Sequence, residues 1–349
     1  AIENRHDQIA IDPEVKEALA FLNDPEVYAK NIENLIGVTK VPLGVAGPIR
    51  INGVFANDDF LVPLATTEAA LVASYHRGCN LITKAGGCTT LILNESVSRA
   101  PGFALDNLRD VGLFVAWVIE HKAIFDDIVT QSSEYCELQD MRLNVEGNHV
   151  YVLCDYTTGD AAGQNMVTIA TQGVFDYILE HSPIPIEYAF VEANMSGDKK
   201  ASHHSFFSVR GKKATAEVVL SEALIKRYLH TTPKAMEDYW RMSAMGGVIS
   251  GTIGVQGHYS NALAAIFIAT GQDPACVSEA SVGVTRFEVR ECGSLYATVT
   301  LPNLIVGTIG GGTHLPSQNA ALKMMNLAGS GNASALAEMK PTAYLVNTA

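Results

Sequence analysis

Three adjacent charges, Asp198-Lys199-Lys200, follow the apolar stretch Ile186 to Val191 by way of Asn194-Met195-Ser196-Gly197. Lysines leave water reluctantly, so a charge cluster directly after a core strand is placed rather than scattered. Two isolated acids give it partners: Glu68 in Pro63-Leu64-Ala65-Thr66-Thr67-Glu68-Ala69-Ala70, and Asp273 in Ala269-Thr270-Gly271-Gln272-Asp273. Each borders an otherwise uncharged apolar segment, so each is expected in a dry setting. One cation and two acids are the parts needed to polarise a carbonyl and deliver a proton. Taken singly, each charge reads more readily as a satisfied ion pair or a helix cap than as a catalytic group.

Those residues need elements to hold them. Pro13 to Leu22 reads as a short amphipathic helix, and Val41 to Pro48, rich in Pro and Gly, as extended chain. Ile49 to Ile51 and Phe60 to Val62 read as strands about an Asn52-Gly53 turn. Ala65, Ala69, Val72, Tyr75, Cys79 and Ile82 recur at helical spacing up to about Thr83, with Thr66 as N-cap. An ordered series follows: strand Thr89–Ser98, helix Asn107–His121, strands Leu138–Leu143 and His149–Asp155, helix Ala161–Leu179, strand Ile186–Val191. That β-α-β-β-α-β order is a split-βαβ, ferredoxin-like unit.

The expected class is therefore α+β. A small ferredoxin-like domain at 101–190 is inserted in a large domain made of 1–100 and 191–349. Further on, His204–Val209 and Ala214–Leu220 read as a strand pair, with Lys212-Lys213 on a solvated hairpin turn. The Gly/Ala-rich stretch from about Lys234 to Thr270 reads as one buried central helix. It carries His258 and Asn261 on one face and ends at Gly271.

The 349 residues are 48% hydrophobic and only 17% charged, with 29 glycines, which suits a large core and extensive subunit contact. A net charge of −13 argues against nonspecific nucleic-acid binding and against anionic membranes. An anionic substrate would meet locally gathered cations, for which Arg77, Arg99, Lys199, Lys200 and Arg241 are candidates. No apolar run is long enough to span a bilayer, and the first residues lack a signal-peptide pattern. Six dispersed cysteines without a CxxC pair read as reduced, mostly structural thiols in a cytosol, and no metal is expected.

Two glycine-bearing loops are candidate dinucleotide contacts. Gly159-Asp160-Ala161-Ala162-Gly163-Gln164-Asn165-Met166 opens the second helix of the small unit. Asp160 can cap that helix, and its small neighbours let an anion reach unpaired N–H groups. The spacing is not the GxGxxG of a Rossmann fold. Gly307-Thr308-Ile309-Gly310-Gly311-Gly312-Thr313 follows the apolar strand Leu295 to Ile305. It can lay main chain against phosphate or nicotinamide, or equally form a tight turn.

Read together, these stretches resemble the catalytic portion of 3-hydroxy-3-methylglutaryl-CoA (HMG-CoA) reductase, closer to its class I branch. The matches are Glu33-Asn34-Leu35-Ile36-Gly37, Pro42 to Pro48, Pro63 to Glu68, Asp160 to Met166, Asp198-Lys199-Lys200, Gly271-Gln272-Asp273 and Gly307 to Thr313, in family order. The resemblance implies a large domain about a central helix with an inserted ferredoxin-like nucleotide-binding domain. It implies reduction of HMG-CoA to mevalonate and CoA by two hydrides from NADPH or NADH, the mevalonate-pathway step of isoprenoid biosynthesis. Lys199 matches the lysine that stabilises the developing alkoxide, Glu68 the acid that protonates the carbonyl oxygen, and Asp273 the carboxylate that tunes this group. A Glu68–Asp273 pair would raise one pKa enough to keep a proton near neutrality, with Lys199 balancing the remaining charge.

The same resemblance places Arg99, Asp198, Lys200, Arg241 and Asn261 at substrate-binding positions, with His258 as a polar neighbour. Ser74, His76 and Arg77 fall where the family approaches CoA. Asp160, Ala162, Gly163, Gln164, Asn165, Gly310, Gly311 and Gly312 fall in the nucleotide-binding stretches. The family's Glu-Asn-Leu-Ile-Gly motif lies at its dimer contact and its site is shared between subunits, so a homodimer or larger assembly is implied.

Four departures matter. The family's catalytic histidine, which protonates the departing CoA thiolate, lies in a C-terminal segment. Here the last histidine is His314 and Ser334 to Ala349 diverge, so a flap beyond the given chain is expected. Glu134, in Ser132-Ser133-Glu134, stands where NADPH users resemble Ser-Arg. A glutamate repels a 2′-phosphate and accepts from a ribose 2′-OH, which favours NADH unless Arg142 takes the phosphate. Glu192 replaces a small serine just before the catalytic loop, and Arg241 replaces a lysine, keeping charge but changing geometry. Two alternatives stay open: a homologue acting on another acyl-CoA, and a CoA-binding homologue impaired in turnover.

Overall fold

A computed structural model describes residue 4 and residues 13–21, 24–28 and 31–344. Leu22, at the end of the first expected helix, lies outside the described residues. α1 (Pro13–Ala18) precedes β1 (Leu43–Gly53) and β2 (Asp59–Ala65), which pair antiparallel. Their connection is 54–58 rather than Asn52-Gly53. The buried Glu338 carboxylate takes the N–H groups of Val54, Phe55 and Ala56 at 3.3, 3.0 and 2.8 Å, shaping the turn from outside the hairpin.

α2 (Leu71–Lys84) buries Leu71, Tyr75, Cys79 and Ile82, continuing the periodic face read from the sequence. It begins at Leu71, not after Thr66, because Ala70 at φ 65 interrupts the helix. Thr66 Oγ1 instead accepts the Glu68 N–H at 3.0 Å. The chain then runs β3 (Cys88–Arg99), β4 (Gly102–Ala104), α3 (Leu108–Glu120), α4 (Lys122–Ser132), β5 (Glu137–Glu146), β6 (His149–Thr157), α5 (Gln164–His181) and β7 (Tyr188–Phe190). β4 lies between β7 and β6, with β5 beyond β6, all antiparallel. This is the interleaved strand order of a split βαβ unit. Its first strand is β4, not Thr89–Ser98.

The remaining elements are β8 (Gly211–Leu220), α6 (Glu222–Leu229), α7 (Pro233–Ser250), β9 (Gly254–Val255), α8 (Tyr259–Thr270), α9 (Val277–Ala280), β10 (Gly283–Val289), β11 (Leu295–Leu304), α10 (Pro316–Met324) and α11 (Ala333–Tyr344). β3 pairs with β8 through Thr89 to Ser96 and with β6 through Val97 to Arg99, so one strand serves a larger and a smaller sheet. The larger sheet continues β8-β11-β10-β9, and β1 joins β3 in parallel. The sheet is mixed but mostly antiparallel, which suits the α+β class.

Three further expectations change. His203–Phe206 is a 3-10 turn rather than a strand. Lys212 lies inside β8, not on a hairpin: it is buried and pairs with Glu95 of β3. The two-residue period of a strand turns one member of Lys212-Lys213 inward. Finally, Lys234 to Thr270 is two helices. Gly251 at φ 76 ends α7, and Gly254 lets β9 lie so close to Gly283 that a Cβ would collide with its carbonyl. α8 alone is the buried central helix, with Tyr259, Ala262, Leu263, Ile266 and Phe267 in the core. α7 instead presents Met242, Met245, Val248 and Ile249 outward, 61–80% exposed. Among the described residues no helix is long and apolar enough to cross a membrane.

Candidate active site

Lys199 is held by its main chain. It sits at φ 58, its N–H donates to Glu279 Oε1 at 3.2 Å, and its carbonyl accepts from Ser278 Oγ at 2.6 Å. From that perch its ammonium reaches Asp273, with Nζ and Oδ2 2.9 Å apart. Asp273 stands just past Gly271, the left-handed cap of α8, whose contact with Gly312 leaves no room for a Cβ. It also accepts the Ala275 N–H at 3.0 Å.

The hydrogen bond to Asp273 holds the Lys199 ammonium above its ordinary value, against partial burial. Burial pushes the Asp273 carboxyl up, but the hydrogen bond and charge of Lys199, with the Ala275 N–H, outweigh it and hold it below the ordinary range. The result is a standing ion pair, its side chains 42% and 39% exposed. The dry setting expected for Asp273 is therefore not found. The pair opens to the surface, where a substrate can reach it.

Beneath it, Asp198 is spanned by two arginines: Arg99 Nη1 at 3.1 Å from Oδ2 and Arg210 Nη2 at 2.8 Å from Oδ1. Arg99 also donates to Thr168 Oγ1 at 2.9 Å and Gln164 O at 3.4 Å, tying the loop to α5. Arg210 donates to Glu279 at 2.7 Å and to the Ser98 carbonyl. Burial works against the Arg210 charge, but the Glu279 and Asp198 carboxylates outweigh it and hold the guanidinium above its ordinary value. Burial likewise pushes the Glu279 carboxyl up, opposed by Arg210 and the Lys199 N–H. With a 2.7 Å contact and acceptors along the whole guanidinium, the pair is ionised.

Neither Arg210 nor Glu279 stands out in the sequence: one sits in a turn-like Arg210-Gly211-Lys212-Lys213 run, the other in a plain helical segment. Lys200 folds its ammonium back onto the Asp198 carbonyl at 2.8 Å. Glu192 does not face a substrate. Its oxygens accept from Ala100 N–H, Asn194 N–H and Ser196 Oγ at 3.2, 2.8 and 3.0 Å, bracing the loop from within.

Glu68 lies elsewhere. It is exposed, not buried, and accepts from Asn261 Nδ2 at 3.3 Å, in the first turn of α8 beside its N-cap His258. Asn261 and Gly271 are separated by roughly 15 Å of helix at 1.5 Å per residue. Glu68 and Lys199 thus do not meet within one protomer, and the expected Glu68–Asp273 proton-sharing pair is not formed there. Arg241, on α7, pairs with Glu237 at 3.1 Å. Ser74, His76 and Arg77 all lie on α2, with His76 and Arg77 exposed.

The two glycine loops do come together. Thr308 N–H donates to Asp160 O at 3.0 Å, Ala161 bridges Ile309, and a Cβ on Gly307 would stand 2.5 Å from Ala162 N. Gly163 at φ 75 is the N-cap of α5, whose first N–H groups, from Gln164 and Asn165, lack partners within the helix. Gly310 and Gly311 have nothing within 4 Å of where a side chain would stand. Such a cradle fits a dinucleotide. Asp160 does not cap α5: its carboxylate takes the N–H groups of Gly331 and Ala333 at 2.7 and 3.1 Å, starting α11 instead.

Glu134 is exposed in the turn that leads from α4 into β5, whose first residue, Glu137, pairs with Thr157, two residues before Gly159. Arg142 lies roughly 17 Å further along β5 at 3.4 Å per residue. It is taken up by Asp155 and Ser208 and does not serve the loop. Gln164 Nε2 meets Cys276 Sγ at 2.9 Å, joining the cradle to the turn that carries Asp273.

A glycine cradle that fits a dinucleotide without a Rossmann loop, joined through Cys276 to the turn that carries Asp273, suits a nucleotide-dependent oxidoreductase. The comparisons with known proteins name its family. Residues 1–347 match the family described as Hydroxymethylglutaryl-coenzyme A reductase. The chain is 40% identical over 313 residues to the HMG-CoA reductase of Pyrococcus abyssi, covering 88% of this chain and 76% of that protein. It is 39% identical over 329 residues to that of Methanocaldococcus jannaschii, covering 93% and 81%. A class II HMG-CoA reductase from Streptococcus pneumoniae, bound to NADPH in open conformations, shares the fold. Its TM-score is 0.75 at 18% identity, covering 99% of this chain and 94% of that one. The chain belongs to the HMG-CoA reductase family, and its reaction is the reduction of HMG-CoA.

Proposed function

We propose that the protein converts HMG-CoA to mevalonate and CoA in sites that two copies of the chain complete between them. The observation that carries this is the distribution about α8. Lys199 and Asp273 lie at its C-terminal end, Glu68, Asn261 and His258 at its N-terminal end, roughly 15 Å apart along the axis. A proton donor that far from the cation cannot serve the same carbonyl oxygen. A second copy, turned so that its Glu68 end meets the first copy's Lys199 end, forms two equal sites at once. The exposed stripe Met242, Met245, Val248 and Ile249 lies on the helix leading, through β9, into the Glu68 end, and a homodimer would cover it.

In that site the Lys199 ammonium stabilises negative charge as it develops on the thioester oxygen, with Asp273 holding the ammonium in place. Glu68 of the second copy delivers the proton that makes this oxygen neutral. When bound, the nicotinamide supplies the hydride, twice for each thioester taken to the alcohol. Residues 101–190 serve as the nucleotide-binding unit; the start of α5 there, together with Gly310 to Gly312 contributed by the larger unit, turns N–H groups towards the pyrophosphate. Glu134, in the turn before β5, favours a free ribose 2′-OH, hence NADH over NADPH. Residues 1–100 and 191–349 form the substrate unit. Arg99, Asp198 and Lys200 shape the floor for the hydroxymethylglutaryl group, Arg241 of the second copy offers a further cation, and His76 and Arg77 on α2 suit the CoA phosphates.

Subunit complementation tests the shared site. Chains carrying Glu68→Gln or Lys199→Met are each expected to be inactive. Co-expressed, half the dimers are mixed and each mixed dimer keeps one intact site, so roughly a quarter of the wild-type rate returns. No activity in an isolated mixed dimer would put both residues in one protomer's site. No HMG-CoA-dependent oxidation of NADH or NADPH by the full-length protein would refute the reductase reading itself.

A further inference from the structure

We infer that Arg210 and Glu279 are positioning residues that fix Lys199 for catalysis, an inference that rests on the reductase reading above. Their side chains are 1% and 0% exposed, so neither can touch substrate. An ion pair so deeply buried is a costly way to fill space, and an apolar pair of similar size would serve stability as well or better. The contacts show what the charges do. Glu279 gives one oxygen to Arg210 Nε at 2.7 Å and the other to the Lys199 N–H at 3.2 Å. Arg210 gives Nη2 to Asp198 at 2.8 Å, Nη1 to the Ser98 carbonyl of β3, and its own N–H to Asn303 of β11 at 2.9 Å. The pair therefore grips two successive loop residues, Asp198 by its side chain and Lys199 by its main chain, and anchors both to two sheet strands.

Lys199 needs that grip. Its φ of 58 lies in the left-handed region that side chains other than glycine disfavour, so an unheld loop would relax and swing the ammonium away from Asp273. Ser278, the residue before Glu279, holds the Lys199 carbonyl at 2.6 Å, so both main-chain groups of Lys199 are fastened to α9. A misplacement of an ångström at a reacting group can cost about a hundredfold in rate, which makes such a clasp worth its buried charges.

The test replaces the pair as a unit, Arg210→Met together with Glu279→Leu, so that neither charge is left stranded. The expected double variant is folded, with kcat lowered about ten- to a hundredfold and the nucleotide KM unchanged. A second readout needs no turnover: the rate at which an acylating reagent labels Lys199 at pH 8, followed on its peptide by mass spectrometry. Release from Asp273 should raise that rate about threefold or more, because the amine loses the hydrogen bond that keeps it protonated. If the double variant does not fold, Arg210→Lys keeps the charge but not the three-way fork, and the same two changes are expected. Unchanged kcat and unchanged labelling in a folded variant overturn the inference. If the wild-type protein does not turn over HMG-CoA, the functional reading fails alone, and the labelling still decides whether the pair positions Lys199.

Discussion

Lys199→Met should separate chemistry from stability. The Lys199–Asp273 side chains are 42% and 39% exposed, so water screens the pair and its loss changes folding by no more than about 1 kcal/mol. In a chain of 349 residues that is a Tm shift of about 2 °C or less. On the proposed mechanism the same ammonium meets the developing oxyanion, and removing one such donor costs about 100- to 1,000-fold in kcat. The pair also sets a pH window for its small stability contribution. The Asp273 carboxyl is held below its ordinary 3.8 in the fold, so its contribution is complete above that value and lost as pH falls through the folded one. The Lys199 ammonium is held above its ordinary 10.5, so its contribution is complete below that value and lost as pH rises through the folded one. The Tm difference between wild type and variant should thus be widest from about pH 4 to about pH 10 and close outside it. Oxidation of reduced nucleotide with HMG-CoA, run beside scanning calorimetry, reads both quantities. Wild-type kcat in the variant would refute the oxyanion role. A Tm loss large enough to explain the missing activity would make Lys199 a structural residue.

Lys340→Met should stabilise the protein: the amine is fully buried, 4.1 Å from the Phe267 ring centre, without a hydrogen-bond partner among the described residues. Burial holds it well below its ordinary 10.5, so wild-type stability falls as pH drops below that value and the unfolded chain takes up the proton. A Tm gain of about 2 °C or more at neutral pH is expected, and an unchanged Tm would show a solvated amine. Gly307→Ala should raise the nucleotide KM about tenfold, since its Cβ would stand 2.5 Å from Ala162 N and push the two loops apart. Gly112→Ala, in α3 with open space around it, should instead stabilise by about 0.5–1 kcal/mol; equal effects of both on KM would sink the cradle. Glu134→Arg should shift the NADPH-to-NADH ratio of kcat/KM about tenfold towards NADPH, and no shift would remove Glu134 from cofactor choice.

What the sequence discloses about this fold is what short-range patterns can carry. β5, β6 and α5 fall where Leu138–Leu143, His149–Asp155 and Ala161–Leu179 are expected, because strand alternation and helical periodicity are local. The loop charges Asp198-Lys199-Lys200 stand out for the same reason. The break between α7 and α8 does not, since it depends on Gly254 meeting Gly283, a residue of another strand. Lys212 reads as a turn residue because its neighbours have turn composition, yet its partner Glu95 is 117 positions away. The Arg210–Glu279 clasp is hidden likewise: each residue is ordinary where it stands in the chain, and only the fold that sets Arg210, just before β8, against Glu279 of α9 gives it a task.

The placement of the two acids at opposite ends of α8 has a physical logic. Were Glu68 beside Lys199 in the same protomer, the two would form a bridge of their own, and Lys199 would already be neutralised by two carboxylates. α8 prevents this by holding Glu68 and Asn261 at one end and Asp273 at the other. On the two-copy reading, each protomer keeps a singly compensated lysine and a carboxylate held only by an amide. The acid meets the cation only where a second copy brings it, across a carbonyl that needs both. A site assembled this way keeps its cation available for the oxyanion, and it leaves an isolated protomer without a complete catalytic set.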